Sequence, residues 1–381
     1  MKKGLGCFFL LLLFIISCKG KDVDRLEAEI HGIMNKYHVV GFSAVVVKDS
    51  RIVYNRAFGY NPDYNDAKRR EPIPIDGKYV IASISKTFIA TAIMQLVEHN
   101  KLNLDDDVNK YLNFRVRNPK YPDIPITVRM LLNHRSTIND KYYSLNINQI
   151  NPEKSKKWRG CYNDYLPGTK FMYCNFNYNL LGAIIENVTG SKFFDYIDGS
   201  IMEPLGLNAS YNLTKLDSTM LVRAYKYDKN TKKFKKDARV YNYQFYRDKL
   251  KNYTLGSSTA YFSPSGGVRI SATDLAKYMM MHMNYGEYNG KRILSKESVL
   301  EMWTPQAVDT TYALGFFRDR MILQGEPVFG VRGSANGVHS IMLFNPEKKF
   351  GIVVLCNGCT ADRKMKEGIA WTLYKHLIKE D

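Results

Sequence analysis

Apolar positions along this chain fall into runs of two periods. Residues 23–37 place Leu26, Ile30, Ile33 and Met34 on one face at helical spacing. Phe42–Val47 and Ile52–Phe58 are apolar, β-branched runs separated by Lys48-Asp49-Ser50-Arg51, which predicts a hairpin. Ser340–Phe344 and Gly351–Leu355 repeat that arrangement around Asn345-Pro346-Glu347-Lys348. A last helix over about 362–379 carries Ile369, Leu373, Leu377 and Ile378 on one stripe. Both ends of the chain therefore offer a helix and a hairpin of the same style. The economical packing is one antiparallel sheet built from both ends, with the terminal helices covering one face. The predicted fold is α+β: a sheet-and-helix part over about 26–82 and 301–381, and an inserted, mainly helical lobe over about 83–300. Within that lobe, residues 138–166 and 212–255 are polar and tyrosine-rich and read as long loops, a kind of segment that is commonly functional.

The N-terminus adds a destination. Lys2 and Lys3 precede an apolar run from Cys7 to Ile16, and Ser17-Cys18 follows, the layout of a secretory signal. The run is too short to cross a bilayer, which takes about 20 residues. Ile15-Ile16-Ser17-Cys18 resembles a bacterial lipobox. The expectation is a signal peptide over 1–17, a lipidated Cys18, and a short tether over 18–25. The domain would then sit in the bacterial cell envelope, on the periplasmic side or the cell surface.

Hydrophobic residues make up 45% of the 381, enough to bury a large core, and the formal net charge is +18. The lysines are scattered, with short runs such as Lys232-Lys233-Phe234-Lys235-Lys236, so they read as a solubilising surface. Attraction to anionic membranes, anionic cell-wall polymer or carboxylate substrates is the alternative. No nucleic-acid-binding signature stands out, and a monomer is expected. Apart from Cys7 and Cys18, four cysteines remain. Cys161 and Cys174 are candidates for pairing across a loop. Cys356-Asn357-Gly358-Cys359 has redox-like spacing without a thioredoxin-type βαβ context, and nothing supports a metal site. All four read as structural.

The strongest chemical signal is Ile81-Ala82-Ser83-Ile84-Ser85-Lys86-Thr87-Phe88, the one Ser-x-x-Lys of the chain. It opens a helix to about His99 that is apolar nearly all round and therefore buried. Desolvation disfavours a lysine ammonium there, so Lys86 should give up its proton easily. Three residues of spacing put Ser83 and Lys86 on one face, at a helix N-terminus that favours developing negative charge. A serine, a basic amine beside it and a local oxyanion site are what acyl transfer needs. The plainer reading makes Ser83 an N-cap and Lys86 a snorkelling lysine. A second signal is Tyr173-Cys174-Asn175, between the turn Pro167-Gly168-Thr169-Lys170 and a helix carrying Leu180, Leu181, Ile184 and Ile185. Tyr173 is expected to relay a proton, with its pKa lowered by nearby ammonium groups. Asn175 is expected to fix Lys86 and hold a substrate amide.

These paired motifs resemble those of class C β-lactamases, D-alanyl-D-alanine peptidases and related esterases. So do Leu102–Val108, Ile126–His134 and Gly266–Ala276, and the order holds from about residue 26 to 378. The resemblance implies an active site between an α/β sandwich and a helical lobe. It implies Ser83 as acylated nucleophile, Lys86 with Tyr173 as the general-base pair, Asn175 as a substrate-orienting residue, and no metal or organic cofactor. The family's third motif, Lys-Thr-Gly or His-x-Gly, matches Val331-Arg332-Gly333, so Val331 stands where the basic residue belongs. Gly333 keeps the close backbone approach, and the match implies that the N–H groups of Ser334 and Ser83 form the oxyanion hole. Strand alternation should aim Arg332 away from the cleft if Val331 faces in. Loss of the basic side chain counts against β-lactam turnover more than against ester chemistry. The expected function is a serine hydrolase acting on a small ester, a D-amino-acid peptide or a β-lactam-like substrate. The rival is a non-catalytic lipoprotein of the same fold that binds cell-wall peptide.

Overall fold

The computed structural model of the protein describes residues 23–379, apart from 64, 65, 145, 238–240, 308, 309 and 336. The signal peptide, the Cys18 anchor and most of the tether expected from the sequence lie outside the described residues.

The first helix, α1, runs over 23–36. A seven-stranded antiparallel sheet follows from both ends of the chain, in the order β10-β11-β12-β13-β1-β2-β3. Its N-terminal strands are β1 (Gly41–Lys48), β2 (Arg51–Asp63) and β3 (Asp66–Pro72). Its C-terminal strands are β10 (Phe317–Asp319), β11 (Val328–Ala335), β12 (Val338–Asn345) and β13 (Phe350–Cys356). The two sets join through β1 and β13, with Phe42 opposite Cys356 and Val45 opposite Val353. Both expected hairpins are present, and the expected sheet forms from both ends. The polar edge strands β3 and β10 were not foreseen, because neither carries the apolar alternation that marks a strand.

Alternation along the strands splits the core in two. Ala44, Val46, Ile352 and Val354 face α1 and the last helix, α9 (Asp362–Leu377), packing on Leu26, Ile30, Met365, Ile369 and Leu373. Val45, Val47, Val353 and Leu355 face the other way, into the larger core of the helical part. That part contains α2 (Ser85–Glu98), α3 (Val128–Leu132), α4 (Asn175–Thr189), α5 (Phe193–Ile197), α6 (Tyr243–Lys251), α7 (Ala272–Met283) and α8 (Lys296–Trp303). Three two-stranded ribbons complete it: β4 (Tyr79–Val80) with β7 (Arg269–Ile270), β5 (Tyr225–Asp228) with β6 (Lys233–Lys236), and β8 (Glu287–Tyr288) with β9 (Lys291–Arg292). The segment 212–255, expected to be loop, holds β5, β6 and α6. Its aromatic residues bury against the core, as Tyr246 does, and order short elements that lack strong periodicity.

Residues Ser85 to Leu96 of α2 are all buried, as the all-round apolar sequence requires. Among the described residues, no helix is long and apolar enough to cross a membrane. The four cysteines within the described residues are free thiols. Cys161 and Cys174 do not pair: Cys161 bonds the Gln149 carbonyl and Cys174 the Asp140 carboxylate, each settled by its own acceptor.

Candidate active site

Ser83 sits in a single turn of 3-10 helix, Ala82–Ile84, that leads into α2. The chain enters it through Ala82 at φ 48°, a left-handed conformation that costs a non-glycine residue about 1 kcal/mol or more. The turn is pinned from the sheet side. Ser340 on β12 donates to the Ile81 carbonyl at 2.7 Å, and Gly333 on β11 packs against the same carbonyl. A Cβ at Gly333 would lie 2.3 Å from the Ile81 oxygen and 2.3 Å from Ser340 Oγ, so only glycine fits without displacement. From the helical side, Val268 donates its N–H to Ser85 Oγ at 3.0 Å.

One turn along, the Lys86 side chain is fully buried. Its Nζ lies 3.0 Å from Ser83 Oγ, 2.8 Å from Asn175 Oδ1 and 2.7 Å from the Ser265 carbonyl oxygen. Burial is the main cause that lowers its pKa from the ordinary lysine range to about 7, against smaller raising effects of Asp140 and Cys174. The amine is thus divided between its two protonation states at neutral pH. When neutral it has two hydrogens and one lone pair. Asn175 Oδ1 and the Ser265 carbonyl can only accept, so they take both hydrogens, and the lone pair is left facing the Ser83 hydroxyl.

Tyr173 lies just before α4, and its hydroxyl donates to Ser83 Oγ at 2.8 Å. The ring rests against Lys86, with Nζ 5.0 Å from its centroid, and against His134, centroid to centroid 4.3 Å. Here the sequence expectation needs correcting. Burial dominates and pushes the phenol above its ordinary range, with the Ser83 hydrogen bond only partly offsetting it. The residue as a whole keeps 39% of its surface exposed, so this burial concerns the hydroxyl that lies against Ser83, and the expected lowering of the phenol is not seen.

Asn175 opens α4 with both ends of its amide engaged. Oδ1 accepts from Lys86, and Nδ2 donates to Asp140 Oδ2 at 2.8 Å. It holds the amine, as expected of it. Asp140 went unrecognised in the sequence. Its carboxylate also accepts the N–H groups of Asn175 at 2.9 Å and Phe176 at 3.0 Å, capping α4 and fixing which way the Asn175 amide points. His134, neutral because burial lowers its pKa, accepts the Cys174 N–H through Nδ1 at 3.2 Å and supports the Tyr173 ring. Asp140 sits in a polar stretch with no pattern, and Ser265 contributes only a backbone oxygen. Neither leaves a sequence signature.

On β11, Val331 is buried in the large apolar core. Arg332 points to the opposite face, where it bonds Glu367 at 2.9 Å and Asp319 at 3.4 Å and stacks on Phe317. Alternation aims it away from the cleft as expected, so it does not replace the missing basic residue. Ser334 likewise turns its side chain to α9, bonding Asp362, while Lys366 bonds the Gly333 carbonyl at 3.2 Å. Any part Ser334 plays in the site is through its backbone. Among the described residues, no cluster of side chains suited to a metal ion is found.

A buried lysine and a tyrosine thus meet on the Ser83 oxygen, beside Gly333 of β11. The beta-lactamase family profile matches residues 25–372. The chain belongs to the beta-lactamase family. Among curated relatives it is 27% identical over 338 residues to the protein flp of Staphylococcus aureus strain MRSA252, covering 88% of this chain and 62% of that one. The chain thus spans under two thirds of that relative's length. It is 26% identical over 355 residues to the N-acetylmuramyl-L-alanine amidase of Bacillus subtilis strain 168, covering 83% of this chain and 77% of that one. Among solved structures, the octameric penicillin-binding protein homologue from Pyrococcus abyssi superposes with a TM-score of 0.73 at 29% identity, over 94% of this chain and 78% of that one. The D-amino acid amidase from Ochrobactrum anthropi SV3 gives 0.66 at 20% identity, over 93% and 97%, a likeness of fold. For this beta-lactamase family member, family and fold stand as expected, and two of these similar proteins bear amidase names.

Proposed function

We propose that the protein is an envelope serine hydrolase acylated at Ser83, acting on a small ester or on a D-amino-acid amide or peptide. The observation that carries this is the neutral form of Lys86, whose lone pair faces the Ser83 hydroxyl at 3.0 Å because its two hydrogens are held elsewhere. Lys86 takes the Ser83 proton as Oγ adds to the substrate carbonyl. The backbone N–H groups of Ser83 and Ser334 receive the negative oxygen. The proton then passes from Lys86 to the leaving alcohol or amine, with the Tyr173 hydroxyl beside Oγ as relay, and water releases the acyl group by the reverse path.

The amidase names of two relatives support an amide or ester as substrate. Val331 and the averted Arg332 leave this wall of the site without a cation, which argues against a substrate held by its carboxylate and so against efficient β-lactam turnover. Relatives tied to the cell wall by name support an envelope location, and the Ile15–Cys18 lipobox would supply the anchor. The chain would act as a monomer. A binding protein that merely keeps the fold is disfavoured, because it has no use for a costly buried amine aimed at a hydroxyl.

Exposure to a fluorophosphonate and, separately, to a labelled penicillin followed by intact mass measurement tests this. A fluorophosphonate adduct absent from Ser83→Ala, with little penicillin adduct, is expected. No adduct with either probe would return the binder to favour.

A further inference from the structure

The sequence motif Cys356-Asn357-Gly358-Cys359 bonds none of the acyl-site side chains, yet it stands in a cluster of ionisable groups on the far side of β11. The sheet register puts Ser334, His339 and Cys356 side by side across β11, β12 and β13, on the face covered by α9. Cys359 lies in the turn beyond β13, within hydrogen-bonding reach of both the Cys356 thiol and His339, and it receives the Ala361 N–H at the start of α9. His339 Nδ1 is 3.0 Å from Asp362 Oδ1. Asp362 in turn bonds Ser334, and Lys366 lies 2.9 Å from the same carboxylate and 3.1 Å from Ser334 Oγ. The Cys356 sulfur accepts the Gly358 N–H at 3.4 Å, which folds the turn back and brings the two sulfurs together.

We propose that Cys356 and Cys359 form a dithiol site oxidised by small hydroperoxides, with Cys359 as the attacking sulfur and Cys356 as the resolving one. Cys359 is 5% exposed and Cys356 wholly buried, which admits a peroxide and excludes a protein disulfide as the oxidant. In the first step the Cys359 sulfur attacks the peroxide. The O–O bond breaks, one oxygen joins the sulfur as a sulfenic acid, and the thiol proton leaves with the other oxygen as water or an alcohol. In the second step the Cys356 thiol attacks that sulfur, the S–S bond forms, and the hydroxyl leaves as water. The protein loses two hydrogens and the peroxide is reduced.

The groups present suit these roles. The neighbouring Cys356 thiol and protonated His339 hold the Cys359 thiol below its ordinary range, while burial holds Cys356 above its own. His339 is itself raised to about 9 by Asp362 and Cys359, against the opposing effect of burial, so it is cationic at neutral pH. Oxidation removes one of the two acidic partners of His339 and leaves Asp362 as the other. The change falls on Asp362 and Lys366, which bond Ser334 and the Gly333 carbonyl, so the site is wired to the strand that lines the nucleophile turn.

The test treats the full chain with hydrogen peroxide, alkylates what remains reduced, and maps the cysteine peptides by mass. A disulfide within the peptide spanning Cys356 and Cys359 is expected, at peroxide levels that leave Cys161 and Cys174 alkylatable. In Cys356→Ser, a sulfenic-acid trap should label Cys359. His339→Gln should slow oxidation by roughly tenfold, which keeps the test open if a cysteine variant fails to fold. Cysteines 356 and 359 that stay as alkylatable as Cys161 and Cys174 would overturn the proposal, as would an unchanged rate in His339→Gln.

Discussion

Lys86 sets the pH behaviour of the site. Its proton must be off for the lone pair to meet Ser83, and its pKa lies at about 7. The acylation rate should therefore rise with pH to a plateau above about 7, falling about tenfold per unit well below it, as a pH profile of kcat/KM with an ester substrate would record. Stability follows the same titration. The folded pKa lies below the unfolded one, so between about 7 and 10 the unfolded chain binds the extra proton, and stability rises with pH in that window. Lys86→Met should abolish acylation and remove this gain. Denaturant melts at pH 7 and pH 9 should show the native protein improving relative to the variant. Asp140 acts one bond further out. Asp140→Asn would let the Asn175 amide turn its NH₂ toward Lys86, and a loss of about 100-fold in acylation rate is expected without loss of the fold, read by stopped-flow kinetics and circular dichroism.

At the scale of elements, the nucleophile turn is held between α2 and the β11–β12 ribbon in addition to its own backbone hydrogen bonds. Gly333→Ala places a methyl against Ile81 and Ser340 and should cost about 1–3 kcal/mol, measurable as a lower melting temperature, with acylation lost as well. Ser340→Ala removes the shorter of two hydrogen bonds to the buried Ile81 carbonyl, leaving the Ile84 N–H at 3.3 Å, and should cost about 1 kcal/mol by the same measurement. The elements that the sequence disclosed are those whose burial is written into a period or an unbroken apolar run. The strands at Phe42 and Gly351 are continuous apolar, β-branched runs, the helices on Leu26 and Ile369 stripe clearly, and α2 is apolar all round. The edge strands and α6 are fixed by pairing and aromatic contacts that no local pattern encodes. In the site, Ser83, Lys86 and Tyr173 were legible because their spacing to one another or to a buried helix is short and regular. Asp140 was not, since it meets Asn175 only after the intervening loop has folded. The direction of the Tyr173 pKa was also misread, because sequence shows which cations are near but not how dry the pocket is.

For the whole molecule, the decisive contact is between the chain's two ends. Deleting α9 from Asp362 onward would uncover Ala44, Val46, Ile352 and Val354 on the sheet, and the truncated protein should be recovered insoluble, as a fractionated expression trial would reveal. The pairing of β1 with β13 also has a consequence in time. The first hairpin is made before the whole helical part, and the strand that completes it only after that part. Until then β1 presents an open apolar edge, and loop closure across the whole helical part has to precede any reward from the pairing. The sheet must therefore wait for β13 to be made, and until it closes, nascent chains depend on being shielded from each other.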